Sequence, residues 1–210
     1  MMTASAPTAS ARLVFIDWLR GWAIVVMIEV HVFNSFLRPE LRETPWFRAL
    51  NFVNGLVAPS FLFVSGFVFI VASRRRLDDL RAFRAPFWRQ LKRIGLVWLI
   101  AYAFHLPPAP LSQYFSAFTE LDWRAFYKVD VLHCIAATWL LLLLSVAVVR
   151  RERVLRWWLL AVALASSVLA PWVWSLTLSP PLTAPLAAYL NNRIGSLFPL
   201  FPWSGFMLAG

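Results

Sequence analysis

The chain has 210 residues, 60% apolar and 14% charged, with a mean hydropathy of +0.67. That composition excludes an ordinary soluble domain, and its long uncharged runs point to an all-α polytopic membrane bundle. The formal charge of +10 lies in short segments between apolar runs, which is positive-inside placement rather than a nucleic-acid surface, and the lone Cys134 excludes an intramolecular disulfide and a cysteine-based zinc site.

Residues 1–12, "MMTASAPTASAR", read as a short tail with no cationic n-region, so no cleaved signal peptide is expected. From residue 13 to 210 the sequence reads as one membrane domain with about six spans. The first, Leu13–Leu37, contains Asp17, Arg20, Glu29 and His31, each costly in hydrocarbon. At 100° per residue Arg20 and His31 fall about 20° apart on the helix and about 16 Å apart along it. Asp17 lies about 60° to one side of that line and Asn34 about 40° to the other, whereas Glu29 points about 180° away. A polar stripe of this kind is expected to line a cavity or a bundle interior, because a charge at the bilayer midplane costs roughly 3 kcal/mol or more. Asp17 and Arg20 also have the spacing of a simple ion pair. Glu29, on the other face, is expected to hydrogen-bond a neighbouring helix.

The second span, Ala49–Ser73, carries Asn51, Asn54, Ser60 and Ser65 near Pro59 and Gly66, as a packed kink or a cavity wall. The third has its core at Ile94–Leu106 and exits through "HLPPAPLSQ". The fourth, Val131–Val149, is uncharged and of spanning length. Asp130 and His133 share a face at its entrance, where they form an interfacial pair or meet a substrate. Trp157–Leu178 is the fifth span, closed by "LSPPLTAP", and a sixth starts near Ile194 and runs to Gly210, as though a C-terminal part were missing. The segment Arg74–Arg93 holds eight basic residues and Arg150–Arg156 four, so these loops and the N-terminus are assigned to the cytoplasm.

Four motifs occur in order: "IDWLRG…MIEVH" in the first span, "APSFLFVSGF" (Ala58–Phe67), "KVDVLHCIA" (Lys128–Ala136) and "FPLFPWSGFMLAG" at the end. Together they resemble the heparan-α-glucosaminide N-acetyltransferase-like family, and Arg20 and His31 also fit the R-x10-H spacing of the wider class of transmembrane acyltransferases. The resemblance implies the N-terminal portion of a multi-pass enzyme of the bacterial inner membrane. It would pass an acetyl group from cytoplasmic acetyl-CoA to an amino sugar or other glycan on the far side. His31 would be the catalytic residue, as acyl acceptor or general base. Asp17, Arg20, Asn34, Ser65, Asp130 and His133 would support it or bind substrate, with Arg20 suited to CoA phosphates. No metal is expected, the bilayer is the principal partner, and a homodimer is an arrangement open to it. A proton-coupled transporter using His31, Glu29 and Asp130, or an O-acetyltransferase of the broader class, are the competing readings.

Overall fold

The computed structural model describes residues 14–106, 118–177 and 184–210. The expected tail over residues 1–12 and most of both proline-rich exits lie outside them. Among the described residues the structure is all α-helix and turns. The chain divides into two compact units, Met1–Val57 and Ala58–Gly210, and each is taken separately.

In the first unit α1 (Val14–Phe36) is unbroken, so the stripe of Asp17, Arg20, His31 and Asn34 forms on one helix. Two prolines start the helices that follow, α2 (Pro39–Arg42) and α3 (Pro45–Gly55), at the position where the missing N–H has no cost. The fold back onto α1 is held at two levels. Asn54 Nδ2 donates to Glu29 Oε1 at 3.2 Å, the helix–helix bond expected of Glu29. One turn further along, Phe33 meets the buried Phe47 edge-on. Arg42 closes the turn by donating to the carbonyls of Asn34 and Leu37.

The second unit begins within α4 (Val57–Arg74) and continues through α5 (Leu77–Arg81), α6 (Ala85–Phe104), α7 (Glu120–Tyr127), α8 (Val131–Val148), α9 (Glu152–Val168), α10 (Ala170–Ser175), α11 (Ala184–Leu190) and α12 (Leu200–Ala209). Its axis is α8, apolar around most of its circumference and packed by α5, α6 and α12, with α9 lying along α12 and reaching α8 through Trp158 Nε1, which donates to Ser145 Oγ. Leu142, Leu143 and Val146 of α8 join Leu62, Ile94 and Met207 in the core.

Two motif glycines have a packing reason. A Cβ at Gly66 of α4 would strike the backbone carbonyl of Met207 in α12, and one at Gly205 of α12 would strike Ser166 Oγ and the Ala163 carbonyl in α9. The "SGF" triplets of the second and last motifs are thus contact points where helix backbones nearly touch.

The expected six spans need correction in their form. Among the described residues, two helical stretches are long and apolar enough to cross a membrane, Pro45–Arg74 and Val131–Val148. The fourth segment agrees with expectation to one residue. α1 carries Asp17, Arg20 and Glu29 within its length. The third helix starts at Ala85, nine residues before the expected apolar core, because a basic amphipathic turn with Arg89, Lys92 and Arg93 propagates as helix. The fifth segment divides at Leu169 into α9 and α10, where Pro171 cannot donate to the helix above it. The sixth is shortened to ten residues by Pro199 and Pro202. Its first turn is irregular at Phe201, whose carbonyl accepts from Trp174 Nε1 at 2.7 Å.

Candidate functional site

The sequence "VDVLH" builds the main polar centre of the second unit. Asp130 is the N-cap of α8, in extended conformation, and Oδ1 accepts from the backbone N–H groups of Leu132 (2.9 Å) and His133 (3.2 Å). An aspartate before an apolar helix is favoured there because it satisfies amide groups that have no partner inside the helix. The preceding residue is fixed from another part of the chain. Val129 O accepts from the backbone of Leu197 and Phe198, and Val129 N donates to Ser196 Oγ. These bonds set the position of the cap, and the cap sets His133 one turn inside the helix.

His133 is 0% exposed. Its Nδ1 lies 2.8 Å from Asp130 Oδ1, against 3.4 Å from the Asp130 amide. The carboxylate is the shorter and stronger partner, which assigns the proton to Nδ1 and leaves a lone pair on Nε2. That Nε2 is buried and has no hydrogen-bond partner. On the other carboxylate oxygen, His105 Nε2 stands 3.3 Å from Asp130 Oδ2, while His105 Nδ1 is 3.4 Å from the Phe126 carbonyl. Burial alone would push the Asp130 carboxyl up. Hydrogen bonds from the His133 side chain and backbone, joined by attraction to the His133 and His105 rings where these are protonated, outweigh it and hold the group below the ordinary aspartate value.

An aromatic wall closes the centre. Tyr102 lies edge-on to His133 with ring centroids 4.3 Å apart, and Tyr189 stands at 6.4 Å. Tyr189 Oη accepts from Trp98 Nε1 at 2.5 Å and lies 3.2 Å from Tyr102 Oη. The arrangement combines a carboxylate-oriented imidazole with a free Nε2 and two neighbouring hydroxyls. It can take a proton from an incoming nucleophile, or accept an acyl group. His105, Asp130 and His133 also offer ligand atoms within 4.8 Å of one another, so these are the residues that would hold a divalent metal.

Of the expected site residues, Asp130 and His133 come together here, joined by His105, Tyr102, Trp98 and Tyr189, which the sequence did not single out. The Asp-x-x-His pattern ahead of an apolar run was the one local signal. His105 and Tyr189 come from distant segments and carry no such signal. Ser65 is half-buried on α4, next to Gly66. Asp17, Arg20, His31 and Asn34 all belong to α1, and all four are exposed. Asp17 lines an open groove of about 630 Å³ with Trp18, Gly21 and Trp22. His31 Nδ1 donates to the Met27 carbonyl at 2.6 Å, which likewise leaves its Nε2 with a lone pair.

The family model of the heparan-alpha-glucosaminide N-acetyltransferase catalytic domain matches residues 12–210. The chain belongs to that family. No curated protein and no solved structure matches it. Membership identifies an acetyltransferase of the transmembrane type, and the four motifs on which the resemblance rested all fall within the matched region.

Proposed function

We propose that this chain of the heparan-alpha-glucosaminide N-acetyltransferase family moves an acetyl group from acetyl-CoA to an amino sugar or glycan across a bacterial inner membrane. The observation that carries the reading is the buried, unpartnered Nε2 of His133, oriented through Nδ1 by Asp130, in a chain of that family. His133 Nε2 takes a proton from the acceptor amine or hydroxyl as its nitrogen or oxygen attacks the thioester carbonyl. The new C–N or C–O bond forms, the C–S bond breaks, and the imidazolium returns its proton to the departing CoA thiolate. Asp130 stabilises the imidazolium in between. Tyr102 and Tyr189 supply hydroxyls beside the reacting groups.

The alternative is a relay on His31 in place of direct transfer: its Nδ1 is likewise bonded, its Nε2 attacks the thioester carbonyl, CoA leaves as the thiolate, and the acceptor then attacks the acyl-imidazole and frees His31. Arg20, Asp17, Asn34 and Ser65 act in substrate binding. The helices α1 and α6 cross the bilayer with the two apolar stretches, the basic ends of α4 and α6 face the cytoplasm with the N-terminus, and self-association as a homodimer fits a multi-pass bundle.

The test uses the full-length protein in proteoliposomes with radiolabelled acetyl-CoA and glucosamine. Wild type is compared with His133→Ala and His31→Ala at equal amounts of inserted protein. Transfer lost in His133→Ala supports the base assignment, and label trapped on protein in a His31-dependent way supports a relay. Flux of a solute without acetyl-CoA, and no transfer in wild type, would replace the reading with a transporter.

A further inference from the structure

His105, Asp130 and His133 each offer one ligand atom, and these atoms all lie within 4.8 Å of one another. Among the described residues this is the one such group of three. Its members come from two helix ends that meet. His105 caps the C-terminus of α6, Asp130 caps the N-terminus of α8, and His133 sits in the first turn of α8.

Hydrogen bonds account for His133 and not for His105. Nδ1 of His105 stands 3.4 Å from the Phe126 carbonyl, which only accepts, so a neutral ring that bonds it carries its proton on that nitrogen. Nε2 then has the lone pair, and it faces Asp130 Oδ2 at 3.3 Å. Two accepting atoms in that position call for a positive charge on or between them. A proton on Nε2 is one solution, but a charged hydrogen bond of that type closes to about 2.7–2.9 Å. A metal ion is the other. Ligand atoms bound at about 2.0–2.1 Å to a tetrahedral zinc stand about 3.3 Å from each other, which is the separation between His105 and Asp130. Two imidazoles and a carboxylate are a borderline donor set that suits zinc and its neighbours, whereas magnesium and calcium take oxygen. The side chains of His105 and Asp130 are 18% and 27% exposed, so an ion has a way in to the fully buried His133.

We propose that His105, Asp130 and His133 bind one zinc-class divalent ion, and that this ion regulates the centre by taking His133 out of service as a base. A neutral imidazole has one lone pair. Bound through Nδ1, the nitrogen beside Asp130, His133 gives that lone pair to the metal and keeps its proton on Nε2. The hydrogen-bonded pair of His133 with Asp130 and the metal-bound centre are therefore mutually exclusive states. The regulatory half rests on the acyl-transfer reading, and the binding half does not.

The full-length protein in detergent is stripped with EDTA. Binding of Zn²⁺ is then followed by calorimetry, and binding of Co²⁺ by its visible absorption, which is intense in a tetrahedral site and weak in an octahedral one. Wild type should bind one ion with the intense spectrum. His105→Gln removes a part-exposed ligand and leaves the Asp130 cap and the His133 ring, so it decides the matter even if His133→Ala does not fold. It should weaken binding about a hundredfold or more, since a partner behind a ligand alone costs about 10- to 100-fold. His31→Ala removes the remaining histidine of the chain and should bind as wild type does. In the radiolabelled acetyl-CoA assay, saturating Zn²⁺ should lower wild-type transfer about tenfold or more, reversibly with EDTA, and should affect His105→Gln far less. No binding, binding unchanged in His105→Gln, or an equal loss in His31→Ala overturns the metal site. Bound metal with wild-type transfer unaffected overturns the regulatory half. No transfer by the stripped wild type would sink the acyl-transfer reading and the regulatory half with it, while the binding result stands by itself.

Discussion

Replacing Asp130 separates two jobs that one carboxylate does. Its Oδ1 caps α8 through two backbone N–H groups and also accepts from His133 Nδ1. Asparagine is as good an N-cap as aspartate, whereas alanine loses the cap at about 1 kcal/mol. A hydrogen bond to a charged group contributes about 1.5–3 kcal/mol, roughly twice a neutral one. Asp130→Ala should therefore cost about 2.5–4 kcal/mol, and Asp130→Asn, which keeps a neutral acceptor at the same position, about 1 kcal/mol. The same loss of charge removes about 1–2 kcal/mol from the imidazolium formed during transfer, which slows acetylation about 5- to 30-fold. Denaturant unfolding in a fixed detergent gives the stability of both variants, and the radiolabelled acetyl-CoA assay gives the rate. Equal stabilities for the two variants would refute the capping account. A wild-type rate in Asp130→Asn would refute the role of the dyad.

Acid stability should report the same group. Because the folded-state value of Asp130 is depressed below the ordinary value of about 3.9, its contribution is complete above that pH and is lost as pH falls through the lower folded value. Melting curves of wild type should then decline more steeply below about pH 4 than those of Asp130→Asn, and parallel acid limbs would count against it. Gly66→Ala should lower folded yield sharply in fluorescence-detected size exclusion, since the new methyl meets the Met207 backbone and one of the two helices must move, at about 1–3 kcal/mol. Glu29→Gln should keep most of the α1–α3 connection, because an amide oxygen still accepts from Asn54 Nδ2, while Glu29→Ala should lose about 1 kcal/mol or more on unfolding in the same detergent. An identical loss in both Glu29 variants would mean that charge, and not the hydrogen bond, holds the two helices.

The apolar runs and their charged punctuation were sufficient to show the helical class, the position of α8 to within a residue, and the polar stripe of α1, because helical periodicity is a local property. The pairing of Asp130 with His133 three residues on was legible for the same reason, whereas the capping role of Asp130 came from the structure. Helix ends in the basic and proline-containing segments were harder to read. Hydropathy marks where a chain is apolar, whereas the helix of α6 extends through Arg89, Lys92 and Arg93 for as long as backbone hydrogen bonds continue. Tertiary structure alone decided that His105, Tyr102, Trp98 and Tyr189 meet around His133, since no spacing rule links residues up to 91 positions apart, as Trp98 and Tyr189 are. It also showed that Gly66 and Gly205 are motif residues because backbones meet there, and that Arg81 carries a buried donor without an acceptor. Each of these depends on which helix lies next to which, and that is fixed by packing of the whole unit around α8.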